Sequence, residues 1–172
     1  MSIAPLISII VSVRNAAVTL ERCLESILGQ TYSARELIVI DGGSTDGSVE
    51  ILEQRSRSIS YRISEADRGI YHAWNKGLAR AKGDWVCFLG ADDYLWEPRT
   101  LERMAPILAR AYPSTRVVYG QVALVNPESR RVLVMGRPWD ELRALFPQIM
   151  PADHGPDQPC ADCHKPHRPK AN

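Results

Sequence analysis

Residues 6–13 read LISIIVSV, a run of apolar and mostly β-branched side chains that leads into the polar stretch RNAA. A strand with one exposed face alternates apolar and polar side chains, whereas a parallel strand covered on both faces is almost continuously apolar. This run is of the second kind. ELIVI at residues 36–40 and DWVCFLG at residues 84–90 follow the same pattern. The three runs predict a mainly parallel sheet with both of its faces covered.

Helical patterns separate these strands. Apolar residues first recur with helical spacing at Leu20, Cys23, Leu24, Ile27 and Leu28. A second series predicts a helix over residues 70–81, and Pro98 opens a third helix. Between them, the turn GGSTDGS leads into a short helix at residues 49–53, and residues 60–64 form a brief strand. This alternation predicts an α/β fold, an open Rossmann-like sheet with helices on both faces.

The second half of the chain has a different pattern. Residues 116–125 and 131–136 predict a pair of strands, and Pro138 opens a last short helix. Five of the 12 prolines and three of the four histidines fall in the final 22 residues, which carry almost no large apolar side chain. We therefore expect one domain over residues 1–150 and an irregular tail over residues 151–172.

The composition excludes several classes of protein. The 172 residues carry 21 Lys plus Arg against 20 Asp plus Glu, so the net charge of +1 does not favour nucleic acid as a partner. No stretch reaches the roughly twenty apolar residues that span a bilayer. The N-terminus has no basic leader, so a cytoplasmic protein is expected. Cys23 and Cys87 fall on apolar faces and are expected to be buried small hydrophobes, not parts of a disulfide framework.

Polar side chains stand where the predicted strands end. Ser12, Arg14 and Asn15 follow the first strand, Asp41 ends the second, and the pair Asp92–Asp93 follows the fourth. Ligands of open parallel sheets bind beyond the carboxyl ends of the strands. Adjacent carboxylates repel each other, so a positively charged partner is expected beside them. The alternative is that these acids, and Asp46 with them, only cap turns and helices.

Four ordered motifs carry a resemblance to a known family. They are SIIVSVRNAAVTLERCLESILGQTY, ELIVIDGGSTDGSVEIL, SEADRGIYHAWNKGLARAKGDW and FLGADD. Together they resemble the inverting GT-A glycosyltransferases of family 2, over residues 6 to about 135. The resemblance implies a GT-A fold and the transfer of a sugar from a nucleotide-diphosphate donor, commonly UDP-linked, to an acceptor hydroxyl with inversion.

The resemblance also implies roles for individual residues. The residues that it assigns to the nucleotide sugar are Ser12, Arg14, Asp41, Asp67, Arg68 and Asp92. Among them, Asp41 matches the acid that contacts the base. Gly90 replaces the first acid of the family's DXD-type pattern, so Asp93 is assigned to a Mg²⁺ or Mn²⁺ ion and Asp92 to the ribose.

The acceptor side is less complete. Similar proteins act in polysaccharide or glycolipid assembly, so a glycan or lipid-linked acceptor and peripheral contact with the inner face of a membrane are expected. Relatives carry the catalytic base in the second half of a longer domain, and no base is assigned here. Asp153, His154 and Asp157 lie in the proline-rich tail, so a C-terminally truncated copy is expected. A donor-binding module without catalysis is the alternative function.

Two other readings have less support. A dinucleotide-dependent oxidoreductase is disfavoured because SVRN, not a G-x-G-x-x-G turn, follows the first strand. CADCH in the tail matches a c-type haem attachment pattern, and Cys160, Cys163, His164 and His167 are of zinc-ligand type. These ligands lie within eight residues among prolines, so an unstructured tail is favoured over either site.

Overall fold

The computed structural model describes residues 4–112, 115, 117–118, 120–126 and 129–136. The chain divides into two compact units, residues 1–118 and residues 119–172. The predicted domain boundary after residue 150, the helix expected at Pro138 and the tail lie outside the described residues.

The first unit alternates strands and helices in the predicted order. Its strands are β1 (Ile7–Val13), β2 (Arg35–Asp41), β3 (Tyr61–Ser64) and β4 (Trp85–Gly90). Its helices are α1 (Ala17–Leu28), α2 (Ser48–Gln54), α3 (Ile70–Leu78) and α4 (Thr100–Ala111), with a 3₁₀ turn at Ser56–Ser58. The strands form one sheet in the order β3-β2-β1-β4, and every pair is parallel. The α/β, mainly parallel fold is thus confirmed.

The register brings the carboxyl ends of all four strands to one edge of the sheet. Val13 of β1 lies opposite Asp41 of β2, and Asp41 lies opposite Ser64 of β3. On the other side of β1, Ser12 lies opposite Gly90 of β4. The polar residues that end separate strands in the sequence therefore meet at this edge.

Both faces of the sheet are covered by helices. Side chains of β1 and β2 such as Ile9 and Val39 belong to a core that includes residues of α1, α2 and α4. On the opposite face, Ile10 and Ile38 pack with Ala73 of α3. All five side chains are at most 1% exposed. Burial on both faces explains why the strand sequences are nearly continuously apolar.

Helix α3 ends at Leu78, although its periodicity predicts a helix to residue 81. After the helix, two side chains at the amino end of the sheet accept hydrogen bonds from the backbone. The backbone N–H of Lys82 donates to Glu36 at 2.6 Å, and that of Gly83 donates to the Ser8 hydroxyl at 2.8 Å. These bonds redirect the backbone toward the start of β4.

In the second unit, β5 (Val122–Val125) and β6 (Arg131–Met135) form an antiparallel pair. Asn126 closes the connection, because its side-chain oxygen accepts the N–H of Arg130 at 2.8 Å. The predicted strand pair is confirmed, with β5 shorter than the predicted 116–125. Within the described part of the chain, no helix has the length and apolar character needed to cross a membrane.

Candidate active site

A cleft of about 340 Å³ opens at the carboxyl edge of the sheet. It is formed by the β1–α1 connection, by the segment before α3 and by the end of β4. Four of the predicted site residues line it: Ser12, Arg14, Asp67 and Asp92. The other three, Asp41, Arg68 and Asp93, do not. The cleft also takes in Asn15, Thr19 and Gly90.

Asp41 lies under the β2–α2 connection and is fully buried. Its carboxylate accepts hydrogen bonds from the N–H groups of Gly43 and Ser44, from the Ser44 hydroxyl, and from the Ser64 hydroxyl at 2.6 Å. Burial would raise the pKa of Asp41, but the hydrogen bonds from Ser44, Ser64 and Gly43 outweigh it and lower the pKa below its usual value. These contacts support the capping alternative, and a contact between Asp41 and the base stays a prediction.

Asn15 and Asp46 join the start of α1 to the β2–α2 connection. Asn15 has a φ of 50°, a left-handed conformation that Asn tolerates better than most residues. Its side-chain oxygen accepts the N–H of Thr45 at 2.9 Å. Asp46 accepts the N–H of Ala17 at 2.9 Å and the Ser48 hydroxyl at 2.6 Å, and these bonds from Ser48 and Ala17 lower the pKa of Asp46. Together they fix the wall of the cleft beside Arg14.

Asp67 presents a nearly buried carboxylate to the cleft. Its side chain is 5% exposed, and the Arg14 Nη1 atom lies 3.9 Å from its Oδ1 atom. Oδ1 also accepts the N–H of Gly69 at 2.9 Å. Among the described residues, nothing donates a hydrogen bond to Oδ2. Because Asp67 lines the open cleft, this oxygen is a free acceptor that a ligand with a donor group can take.

Gly42 makes room for this carboxylate. A Cβ atom built on Gly42 would lie 2.6 Å from Asp67 Oδ2, closer than side-chain carbons approach other atoms. Any other residue at position 42 would displace the Asp67 carboxylate. The sequence alone did not identify this role, since the glycine and the acid stand in different motifs.

Arg68 does not line the cleft. It is exposed, and its backbone N–H donates to the His72 ring at 3.2 Å. Nearby, Trp74 packs against Tyr71 and Phe88, with ring centroids 5.6 and 4.9 Å away. A phosphate contact of Arg68 stays a prediction.

Asp92 and Asp93 lie in the connection between β4 and α4, residues 91–99, which we name the acidic loop. Both are exposed. A Cβ atom on Gly90 would lie 2.6 Å from Asp92 Oδ1 and 3.2 Å from Asp93 Oδ2, so both carboxylates fold back over the strand end. Neither is paired with a basic side chain in the described part of the chain. Burial, with the charges of Asp93 and Asp92, raises the pKa of the nearby Cys23 thiol to about 12.

The acidic loop offers oxygen ligands of the kind that a divalent cation takes in proteins. Asp92 Oδ1 and Asp93 Oδ2 both lie next to Gly90, against the space that a Cβ atom at this position would fill. No group of three or more acidic, histidine or cysteine side chains converges among the described residues. Mg²⁺ and similar ions are commonly bound by one or two carboxylates, with phosphates and water as the other ligands. The residues present therefore fit a cation that arrives with a diphosphate.

Solved glycosyltransferases share this fold. The mannosyltransferase PcManGT from Pyrobaculum calidifontis, solved with GDP-Man and Mn²⁺, superposes with a TM-score of 0.58 and 27% identity, over 73% of this chain and 37% of that one. TarS of S. aureus (residues 1–349), solved with UDP-GlcNAc, gives a TM-score of 0.57 and 25% identity over 62% and 32%. The GT-A fold is thus confirmed, in proteins that bind nucleotide sugars and, in one case, a divalent cation.

Curated relatives agree with the structures. The chain is 39% identical over 146 residues to a PGL/p-HBAD biosynthesis glycosyltransferase of Mycobacterium bovis, with 83% of this chain and 55% of the relative covered. A Haemophilus influenzae glycosyltransferase without an assigned function is 40% identical over 94 residues, which are 53% of this chain and 38% of the relative. The chain therefore spans about half the length of the mycobacterial relative.

The family model of glycosyl transferase family 2 matches residues 8–160. This range begins within β1, includes the cleft and the acidic loop, and covers most of the 172 residues. On its sequence, its fold and the arrangement of its cleft, the chain belongs to glycosyl transferase family 2.

Proposed function

We propose that this protein transfers a sugar from a nucleotide-diphosphate donor, UDP-linked, to an acceptor hydroxyl with inversion at the anomeric carbon. The observation that carries the proposal is the cleft itself. It brings an arginine, a nearly buried carboxylate with an unused oxygen and a carboxylate of the acidic loop to one edge of the sheet. A nucleoside with donor groups and a charged diphosphate would satisfy all three.

The donor would be held mainly by the β1–α1 side of the cleft. Asp67 Oδ2 accepts a hydrogen bond from the nucleoside, and Arg14, whose side chain is 62% exposed, remains free to move toward a phosphate or a base carbonyl. Ser12 offers a hydroxyl at the floor of the cleft. Asp92 contacts the ribose, as the family pattern implies. Asp41 acts on the nucleotide through the loop that it holds.

Asp93 would hold a Mg²⁺ or Mn²⁺ ion. When bound, such an ion neutralises the charge that develops on the departing diphosphate. The chain's own part is to keep the two carboxylates folded over Gly90 and free of competing cations.

The acceptor is proposed to be a glycan or a lipid-linked molecule at the inner face of a membrane, in polysaccharide or glycolipid biosynthesis. The mycobacterial relative supports this proposal, because its name places it in PGL/p-HBAD biosynthesis. It gives no detail of the acceptor that this chain would use.

A donor-binding module is the second candidate function. In the described part of the cleft, the carboxylates are Asp67 and Asp92, and both are assigned to the donor. Inverting transfer needs a further base within hydrogen-bond reach of the acceptor hydroxyl. If residues 1–172 supply none, the chain binds donor and releases UDP only slowly, by reaction with water.

Calorimetry with UDP and with GDP, each with and without Mn²⁺, tests donor binding. We expect UDP to bind more tightly with the ion, and Asp67→Asn to weaken UDP binding even without it. Asp84→Asn is the matched control, because that carboxylate accepts the N–H of Leu6 at the opposite edge of the sheet. Equal affinities of the wild type and Asp67→Asn, in proteins that melt alike, would contradict the proposed donor site.

A further inference from the structure

Helix α1 carries the acidic loop on one of its faces. At the start of the loop, the Arg22 guanidinium stacks 3.6 Å from the centre of the Tyr94 ring. One turn further along the helix, the Ser26 hydroxyl accepts the N–H of Leu95 at 3.0 Å. The backbone that follows Asp93 is thus tied to α1 within two residues.

Gln30, just after α1, adds further hydrogen bonds that hold the acidic loop against the helix. Its side-chain N–H₂ group donates to the carbonyl oxygens of Ser26 at 3.0 Å and of Glu97 at 2.8 Å. Its side-chain oxygen accepts the N–H of Leu101, in the first turn of α4, at 3.0 Å. The orientation of the amide is unambiguous, because carbonyls only accept and a backbone N–H only donates.

The Gln30 side-chain amide is buried, and all of its hydrogen-bonding groups have partners. Gln30 is 5% exposed, and both of its amide protons and its oxygen are bonded to three different segments: the end of α1, the acidic loop and α4. Buried polar groups without partners are costly, so the three segments are held together at one geometry. Gln30 touches neither the cleft nor the carboxylates themselves.

We infer that Gln30 is a positioning residue for Asp93, the carboxylate proposed to bind the metal, acting through residues 95–98 of the acidic loop. The inference rests on the proposed metal site at Asp93. Asp93 is exposed, and in the described part of the chain its carboxylate has no hydrogen-bond donor or ion pair, while its backbone N–H donates to the Gly90 carbonyl at 3.1 Å. Its placement therefore depends on the backbone, which β4 holds on one side and α1 with Gln30 holds on the other. Loss of the amide lets this side of the loop move and separates the two carboxylates.

The test compares the effect of Mn²⁺ on UDP affinity in Gln30→Met, which keeps the size of the side chain, with the wild type. We expect Gln30→Met to reduce the Mn²⁺-dependent gain in UDP affinity about 10-fold, the usual loss when a residue behind a metal ligand is removed. Its UDP affinity without metal should remain that of the wild type. Electron paramagnetic resonance of free Mn²⁺ should show the same weakening without any assay of activity.

Ser8→Ala is the matched control. Its hydroxyl is also buried and bonded, to Glu36 and to the N–H of Gly83, but at the amino ends of the strands. We expect this variant to lose stability and to keep the full Mn²⁺ effect. If Gln30→Met does not fold, Ser26→Ala decides. It removes the anchor of Leu95 and the bond from the Ser26 hydroxyl to the Cys23 carbonyl within α1, leaves the bonds of Gln30 in place, and should give a smaller loss of the same kind.

Three results would overturn the inference. An unchanged Mn²⁺ effect in a folded Gln30→Met or Ser26→Ala protein would mean that the loop keeps its geometry without these bonds. Equal losses of UDP affinity with and without metal would mean a purely structural role. A wild-type protein that binds UDP without any response to Mn²⁺ would refute the metal site itself, and with it the role of Gln30, while leaving donor binding intact.

Discussion

Replacing Gly42 by alanine should weaken nucleotide binding while leaving the fold intact. The new Cβ atom would lie 2.6 Å from Asp67 Oδ2, whereas ordinary contacts begin at 3.4 Å, so this oxygen must move by about 0.8 Å. The carboxylate sits at the end of a side chain that can rotate, and Gly42 does not have a left-handed backbone conformation. The strain is therefore small, and the lower entropy of the unfolded chain offsets part of it by about 0.4–1 kcal/mol.

The displaced carboxylate no longer meets the nucleoside. A charge-assisted hydrogen bond contributes about 1.5–3 kcal/mol, so UDP affinity should fall by roughly 10- to 100-fold. Calorimetry without metal measures this loss, and thermal unfolding checks that stability changes by less than about 1 kcal/mol. In an Asp67→Ala background, Gly42→Ala should cost nothing further. The same loss in both backgrounds would show that Gly42 acts on the nucleotide by another route and would refute the reasoning.

Three further predictions concern the acids and the thiol at this edge. Asp93→Asn should abolish the Mn²⁺-dependent stabilisation by UDP in thermal unfolding and leave the melting temperature without ligands unchanged. Asp41→Asn should lower stability by about 1–3 kcal/mol at neutral pH. The folded pKa of Asp41 is lowered, so its contribution to the free energy of unfolding is complete above the unfolded pKa of about 3.9 and is lost as pH falls through the folded value. In acid, urea unfolding should therefore give the same stability for the wild type and for Asp41→Asn. Cys23, with a pKa raised to about 12, should resist iodoacetamide at pH 8 until the protein unfolds, which peptide mass spectrometry can measure.

The sheet could be predicted from the sequence because burial on both faces leaves a strong signal. β1 and β4 coincide with apolar runs to within one residue at each end. The end of α3 could not be predicted, since it depends on Ser8 and Glu36, which are distant in sequence and capture the backbone after the helix. Periodicity reports which face of a helix is buried, not which tertiary bond ends it.

The site was predicted only in part, for a similar reason. An acid at the end of a strand has the same sequence signature whether it faces a ligand or folds under its own loop. For Asp41 the outcome depends on Ser64, a hydroxyl donor 23 residues away. Asp67 lies between a predicted strand and a predicted helix, so no pattern in the sequence marks it, and only the family resemblance identified it as a site residue. Gln30 lies within a quoted motif, but its three bonds join segments that only the fold brings together.

The charges of the cleft explain why a cation should be essential for this site. In the described part of the chain, Asp67 and Asp92 are the acidic residues and Arg14 the basic residue that line it, and the acidic loop adds Asp93 together with Arg22, which stacks on its Tyr94. A nucleoside diphosphate would add further negative charge beside them. Like charges that lie close together near a protein surface repel each other, and a bound cation would reduce this repulsion. We therefore expect the proposed donor site to bind the ion–nucleotide pair more tightly than either component alone.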